Sequence, residues 1–197
     1  MSTNNINKEY SYHYKEPLAF SKIEGAIYSH ILEASPNTPR KIIYLCIGTD
    51  RATGDSLGPL VGTRLKSLMP NGNIYGNLEK PVHANNLATT MEDIKSTYIN
   101  PLLIAIDASL GNAHRIGFIN VKRGSLKPGT ALKKDLPAVG DFYISGVVNV
   151  GGFLEQMVLQ NTRLHLVYDM ANVIAKSIYL ANYHYEKYKK ENLSPIN

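Results

Sequence analysis

The chain contains 197 residues, of which 44% are hydrophobic and 19% are charged. This composition is typical of a folded globular protein and excludes a collagen-like, coiled-coil or disordered chain. The length fits one domain with modest additions, because domains commonly hold roughly 100 to 200 residues. Lysine and arginine exceed aspartate and glutamate by 21 − 16 = 5 residues, an excess that does not by itself indicate nucleic acid.

Cys46 is the single cysteine, so no internal disulfide can form. The first residues are polar and aromatic and lack the apolar segment of a secretory signal. Since no run approaches the roughly 18 to 20 apolar residues that span a bilayer, we expect a cytoplasmic protein without membrane association.

The first elements in chain order are an arm, a helix and a strand. Residues 1–14 are polar and aromatic, and we expect a loose arm there. Apolar residues at helical spacing then predict an amphipathic helix that ends before the proline-containing linker 35–39, namely Phe20, Ile23, Ile27 and Ile31. The continuous apolar run 41–48 predicts a strand that is covered on both faces, as in a parallel sheet.

Helices and strands alternate along the rest of the chain. The further predicted strands comprise residues 73–77, 101–109, 115–124 and 163–168. A second helix is predicted over residues 56–69, and a third carries Leu87, Met91, Ile94 and Tyr98 with Asn85 or Asn86 as its cap. A fourth predicted helix carries Phe153, Leu154, Met157 and Val158. The final predicted helix is capped by Asp169 and carries Val173, Ile174, Ile178 and Ala181. Residues 124–142 lack periodicity and predict a long loop near the site.

This alternation predicts an α/β protein, a three-layer α/β/α sandwich with a mostly parallel, phosphorylase/hydrolase-like sheet. We expect residues 1–35 to form an N-terminal arm and amphipathic helix, and residues 40–190 to form a single α/β domain.

Two loops are candidates for the functional site, because ligands of open α/β sheets bind beyond the carboxyl ends of the strands where strand order reverses. The first loop, residues 48–59, contains Asp50 and Asp55, and the second follows a buried strand that ends in Asp107. If these two strands are neighbours, they lie about 4.8 Å apart. Asp55 and Asp107 would then share one pocket.

Two carboxylates at close range cannot both ionise cheaply, so such a pair can hold one proton acceptor and one proton donor. Asp55 lies at a predicted helix start, which favours its anion, whereas Asp107 follows an apolar strand, which favours the neutral acid. This pattern suggests Asp55 as the base and Asp107 as the acid of a hydrolase. The alternative is that the two residues are a helix cap and a turn residue.

Other chemistries find less support in the sequence. Residues 54–57 spell the GDSL string of a serine esterase family, but the late Asp-x-x-His pair is absent, because Asn172 follows Asp169 where histidine is needed. Cys46 lies within an apolar strand, where a free thiol is usually inert. No Cys/His cluster marks a zinc site, and we expect no metal and no cofactor.

Three segments carry a resemblance to a known family: IGTDRATGDSLGPLVG, LLIAIDASLG and FYISGVVNVGG. Over residues 21–181 the chain resembles the YyaC-type sporulation proteins of spore-forming Firmicutes. That family is similar to the germination protease, an aspartate-dependent endopeptidase that degrades small acid-soluble spore proteins, and more distantly to the hydrogenase maturation endopeptidases. The two functional aspartates of the germination protease fall on Asp55 and Asp107.

The resemblance implies a peptidase of the sporulating cell or spore, with protein or peptide substrates such as small acid-soluble spore proteins. We expect six further residues to contact the substrate, namely Asp50, Ser56, Ser109, Ser145, Gly146 and Asn149. Asp50 stands where the germination protease loop has asparagine, and residues 143–152 lack the histidine that binds nickel in the hydrogenase maturation proteases. The alternatives are a non-catalytic binding or regulatory protein with the protease fold, and a metal-dependent hydrolase.

Overall fold

A single six-stranded sheet organises the protein, whose computed structural model describes residues 9–36, 38–128 and 137–192. The strands are β1 (Glu9–His13), β2 (Ile42–Cys46), β3 (Asn73–Tyr75), β4 (Leu102–Gly111), β5 (Phe118–Arg123) and β6 (Phe142–Val150). The helices are α1 (Ala19–Ala34), α2 (Leu57–Leu68), α3 (Leu87–Thr97), α4 (Glu155–Gln160) and α5 (Leu164–Asn192), with 3-10 turns at Gly54–Ser56 and Ala113–Arg115.

The strand order is β1-β5-β6-β4-β2-β3. Strands β3, β2, β4 and β6 run parallel to one another, whereas β5 is antiparallel to β6 and β1 is antiparallel to β5. The mostly parallel sheet is therefore confirmed. The expected neighbourhood of the two strands that precede the aspartates is confirmed as well, because β2 pairs directly with β4.

Helices cover both faces of the sheet, which confirms the three-layer sandwich. On one face α1, α2 and α5 pack against apolar side chains of the sheet, and Ile23, Ile27 and Ile31 of α1 are fully buried there, as their spacing predicts. On the other face α3 buries Leu87 and Ile94 in a smaller cluster with residues of β2 and β4. Asn86 occupies the cap position of α3. No helix in the described part of the chain combines the length and apolar character that a bilayer crossing requires.

The N-terminal segment differs from the expected loose arm. Residues 1–8 lie outside the described residues, but residues 9–13 form the edge strand β1, which pairs with β5 from Glu9 to His13. Tyr10 and Tyr12 pack against the large apolar cluster. Tyrosines at every second position place both rings on one face, which is the pattern of a half-buried strand. The strand that pairs with this segment lies more than a hundred residues further along the chain.

One predicted strand and one predicted helix cap near the C-terminus are wrong, whereas the predicted final helix is confirmed as part of α5. Residues 163–168 are not a strand, because α5 begins at Leu164 and Asp169 lies inside it rather than at its cap. Val167, Met170, Ala171 and Ile174 are buried on one side of this helix. Their spacing extends the helical stripe toward the N-terminus, and a short apolar run cannot be assigned to strand or helix by periodicity alone.

The segment around residues 124–150 also differs from expectation. Residues 142–150 form the central strand β6, for which the sequence predicted no element. The loop that precedes it joins β5 to the start of β6, and the Asp141 N–H donates to the Leu103 carbonyl near the start of β4. Its described residues therefore lie at the amino end of the parallel strands, opposite the predicted site, while residues 129–136 lie outside the described residues.

Candidate active site

Asp55 lies in a tight turn between β2 and α2. The Thr49 N–H donates to the Asp55 carbonyl at 3.1 Å, which closes the loop on itself. Gly48 has a φ of 135°, and a Cβ on it would lie 2.0 Å from the Asp55 carbonyl oxygen. Only glycine fits this position, because a side chain would meet backbone that cannot move aside.

The first turn of α2 sits directly on the end of β2. A Cβ on Gly58 would lie 2.0 Å from the Ile47 carbonyl oxygen, so the absence of a side chain allows helix and strand to approach. Gly54 is similarly close to α4 and the residues after it, with Leu159 and Thr162 each 2.8 Å from the position of its Cβ. The glycines on either side of Asp55 thus pack closely against β2 and against the side chains of Leu159 and Thr162, which fixes the Asp55 turn between β2 and α4.

Asp107 lies where β4 extends beyond the end of its neighbour β2. Cys46, the last residue of β2, pairs with Ile106, so Asp107 is the first residue of β4 beyond the end of β2. On its other side β4 continues beside β6, and Asp107 pairs with Ser145. The Asp107 side chain is buried, with a residue exposure of 7%, and Oδ1 accepts a hydrogen bond of 2.8 Å from the Ala108 N–H.

The two carboxyl groups influence each other electrostatically. Burial raises the pKa of Asp107 well above 3.8, and the charge of Asp55 raises it further, against the smaller effect of the Ala108 N–H. Burial also raises the pKa of Asp55, but a hydrogen bond from the Thr49 N–H and the charge of His83 oppose this rise. The arrangement therefore favours a proton on Asp107 and a charge on Asp55.

His83 is a third titratable group at this edge of the sheet, and the sequence analysis did not select it. It follows Val82, which bridges Ile47 at the end of β2 and whose carbonyl accepts from the Gly48 N–H at 2.8 Å. The Nδ1 atom of His83 accepts a hydrogen bond from the Asn85 N–H at 3.2 Å. In the neutral ring, the proton is then on Nε2.

A row of polar side chains runs from Asp107 across the sheet. Asp107 lies opposite Ser145 on β6, Ser145 opposite Asn120 on β5, and Asn120 opposite Ser11 on β1. Asn120 links the row, since its Nδ2 donates to Ser145 Oγ at 3.3 Å and its Oδ1 accepts from Ser11 Oγ at 2.6 Å. We call these four residues the polar row. Directly opposed residues point to the same face, so all four face the side that carries α3.

Comparisons with known proteins identify the family of the chain. Residues 11–177 match a sequence family described as Protein of unknown function (DUF1256). The chain belongs to this family. It is also 44% identical over 190 residues to the Uncharacterized protein YyaC of Bacillus subtilis (strain 168), an alignment that covers 96% of this chain and 90% of that protein. The match supports the YyaC-type resemblance drawn from the three motifs.

The predicted substrate residues of this family member fall into two groups. Ser145 and Ser109 share the face of Asp107, as alternation along β4 and β6 requires, and Asp50 is exposed on the loop after β2. The others face elsewhere. Gly146 lies beneath Leu57 and Met170 on the opposite face, Ser56 donates to the Thr53 carbonyl at 2.7 Å, and Asn149 donates to Thr162 and to the Val158 carbonyl.

The remaining candidate chemistries have little geometric support. Cys46 is fully buried, and burial raises the pKa of its thiol, so it stays protonated at neutral pH. Within residues 9–36, 38–128 and 137–192, no group of three or more histidine, cysteine, aspartate or glutamate side chains is arranged to hold a metal ion. The chemically distinctive feature of this edge is the aspartate pair.

Proposed function

We propose that this protein is an aspartate-dependent peptide hydrolase of sporulating cells. The observation that carries the proposal is the unequal environment of two neighbouring carboxyl groups, Asp107 buried beside the charge of Asp55 and Asp55 relieved by the Thr49 N–H and His83. Such a pair holds a general base and a general acid together at neutral pH.

In the proposed reaction, ionised Asp55 takes a proton from a water molecule as the water oxygen attacks the peptide carbonyl carbon. Protonated Asp107 donates to the carbonyl oxygen, so the tetrahedral intermediate carries no net charge. The C–N bond then breaks, Asp55 returns its proton to the leaving amine, and Asp107 recovers its proton from the intermediate's hydroxyl group. Each carboxyl group ends in its starting state, as turnover requires.

The resemblance of the three motifs to the germination protease also supports this proposal. The motif pattern of the YyaC-type proteins is similar to that of the germination protease, whose functional aspartates fall on Asp55 and Asp107. By that similarity, the substrate class is protein or peptide, with small acid-soluble spore proteins as the first candidates.

The test is cleavage by the full-length protein, measured by mass spectrometry of new termini in small acid-soluble spore proteins and in a mixed peptide library. We expect Asp55→Asn and Asp107→Asn to lower the rate by about 10²- to 10⁴-fold, the usual contribution of a general acid or base. Asp169→Asn, on α5, serves as the matched control and should cleave like the unmodified protein. Equal rates for all four proteins, or no cleavage by any, would refute the proposal.

A second candidate function, a binding or regulatory protein, is favoured by one surface. Phe153, Leu154, Met157 and Leu164 are exposed at the start of α4 and α5, and Phe153 is 91% exposed. α4 packs against the Asp55 turn through Leu159. A contiguous exposed apolar surface commonly marks a protein contact. If the protein acts in sporulating cells by binding a partner, Asp107→Asn should leave its function intact and Met157→Asp should abolish it. If it acts as a hydrolase, Asp107→Asn should abolish its function.

A further inference from the structure

The polar row ends at Arg115, which forms no ion pair with any described acidic residue. Arg115 follows β4 in the 3-10 turn Ala113–Arg115, and its Nη2 donates to Asn120 Oδ1 at 3.2 Å and to Ser11 Oγ. Its guanidinium carbon lies 4.0 Å from the centre of the Phe118 ring. These contacts hold the side chain over the same face of the sheet as Asp107 and Ser145.

The charge of Arg115 is not neutralised within the described residues. None of the ion pairs there includes Arg115, and no hydrogen bond there uses its Nε or Nη1. Lys122, two residues beyond Asn120 on the same strand, differs in this respect, because its Nζ lies 2.6 Å from a Glu9 carboxylate oxygen. Arg115 thus keeps free donors and an uncompensated positive charge on a half-buried side chain.

The donor set indicates the chemical class of the ligand. A guanidinium group presents donors in a planar fork that matches the two oxygens of a carboxylate. Glu9 already neutralises Lys122, and the one positive charge of the Arg115 guanidinium fits a monoanion better than a phosphate dianion. The contacts from Ser11 and Asn120 orient the guanidinium before any ligand arrives, so less conformational entropy is lost on binding.

We propose that Arg115 binds a carboxylate of the peptide substrate, at a subsite on the face of the sheet that Asp107 occupies. The inference rests on the proposed function for the identity of the substrate as a peptide. Arg115 contacts Asn120 on β5 and Ser11 on β1, which lie two and three strand spacings of about 4.8 Å from β4, so the carboxylate lies about 10 to 14 Å from Asp107. An extended peptide covers that distance in about three to four residues, which places an acidic side chain or the C-terminus about three to four positions from the bond to be cleaved.

The test is a binding measurement that does not depend on cleavage. The full chain with Asp55→Asn is titrated with a blocked tetrapeptide that carries one glutamate among alanines, and with its glutamine counterpart. Binding is followed by the side-chain Nε–H resonance of Arg115 in NMR spectra, assigned by its loss in Arg115→Lys. We expect a saturable shift with the glutamate peptide and at least tenfold weaker binding of the glutamine peptide.

Variants separate a binding residue from a structural one. Affinity for the glutamate peptide, measured by calorimetry, should fall at least tenfold in Arg115→Gln and less in Asn120→Ala, which keeps the cation but removes a positioning contact. Arg123→Gln removes an exposed arginine from β5, the strand that carries Asn120, and is the matched control. Arg115→Lys keeps the charge if the glutamine variant does not fold, and it should still bind more weakly because it loses the fork.

The outcomes distinguish this inference from the proposed function. Equal binding of the two peptides, unchanged affinity in both Arg115 variants, or tighter binding of inorganic phosphate than of the glutamate peptide would overturn the carboxylate subsite. Selective binding that depends on Arg115 supports it even if Asp55→Asn and Asp107→Asn leave turnover unchanged, in which case only the hydrolase proposal fails.

Discussion

The two halves of the sheet present different kinds of side chain on the face that carries α3. The parallel half, β3-β2-β4, presents apolar residues to α3, and Ile43, Leu45 and Ala105 are fully buried there. The antiparallel half, β6-β5-β1, presents Ser145, Asn120 and Ser11 on the same face. Among the described residues, the buried strand residues of the cluster that contains α3 come from β2 and β4.

The contrast shows that apolar packing stabilises the half beside α3, whereas hydrogen bonds link the side chains of the other half. Apolar burial contributes roughly 25 cal/mol per Å² and needs no partner, whereas each buried polar group needs a hydrogen bond to avoid a net loss. Asp107 lies at the border between the halves, where β2 has ended and β6 continues. A buried carboxyl group at this border can face both the Asp55 turn and the polar row.

The largest expected effect compares the apolar and polar sides of that border. Leu45→Ala removes a fully buried side chain and should lower the free energy of unfolding by about 2 to 5 kcal/mol. Asn120→Ala leaves the Ser145 and Ser11 hydroxyls without their shared partner and should cost about 1 to 3 kcal/mol. Urea denaturation measures both. A larger loss for Asn120→Ala would show that the polar row, rather than the apolar side, dominates stability.

A second comparison concerns the helices that pack on the two halves. Gly58→Ala places a Cβ 2.0 Å from the Ile47 carbonyl oxygen and should cost about 3 kcal/mol, because α2 must move away from β2. Gly25→Ala in α1 meets nothing within 4 Å and should stabilise the protein by about 0.5 to 1 kcal/mol through helix propensity. Thermal unfolding should show a less stable Gly58→Ala variant and a more stable Gly25→Ala variant. Similar losses of stability in both variants would contradict the close approach of α2 to β2.

The smallest expected effect is a change in the pH dependence of stability. Because the pKa of Asp107 is raised from 3.8, the folded protein holds this proton more tightly than the unfolded chain does. The free energy of unfolding therefore falls as the pH rises above about 3.8, until the pH passes the raised pKa. Asp107→Asn removes this titration, so its stability relative to the unmodified protein should increase with pH.

The matched variant for this measurement is Asp55→Asn. The stability of Asp55→Asn relative to the unmodified protein should also increase with pH, but by less than that of Asp107→Asn. The reason is that the Thr49 N–H and the charge of His83 oppose the rise in the pKa of Asp55. Urea denaturation at several pH values from 4 to 8 gives the slopes. A flat difference for Asp107→Asn across this range would contradict a buried, protonated acid.

Sequence reasoning succeeded where the pattern is local. The runs at 41–48 and 101–109 correspond to β2 and β4, although β4 continues to Gly111, and the apolar spacing at Ile23, Ile27 and Ile31 corresponds to α1. It failed at β6, where Ser145 and Gly146 interrupt the apolar run. The serine belongs to the polar row, and the glycine lets Leu57 and Met170 approach from the other face. Neither reason is visible in the segment itself.

The sequence by itself determined the class of fold, because continuous apolar runs are set by neighbouring residues. It also determined the two acidic loops, because ligands of parallel sheets generally bind at the carboxyl ends of the strands. Only the tertiary structure decided the polar row and its link to Arg115, since Ser11 and Asn120 stand 109 residues apart and meet through strand register. Cross-strand register depends on the packing of the whole sheet, so no local pattern specifies it. The same holds for the raised pKa of Asp107, which depends on burial and on a charge from a separate loop.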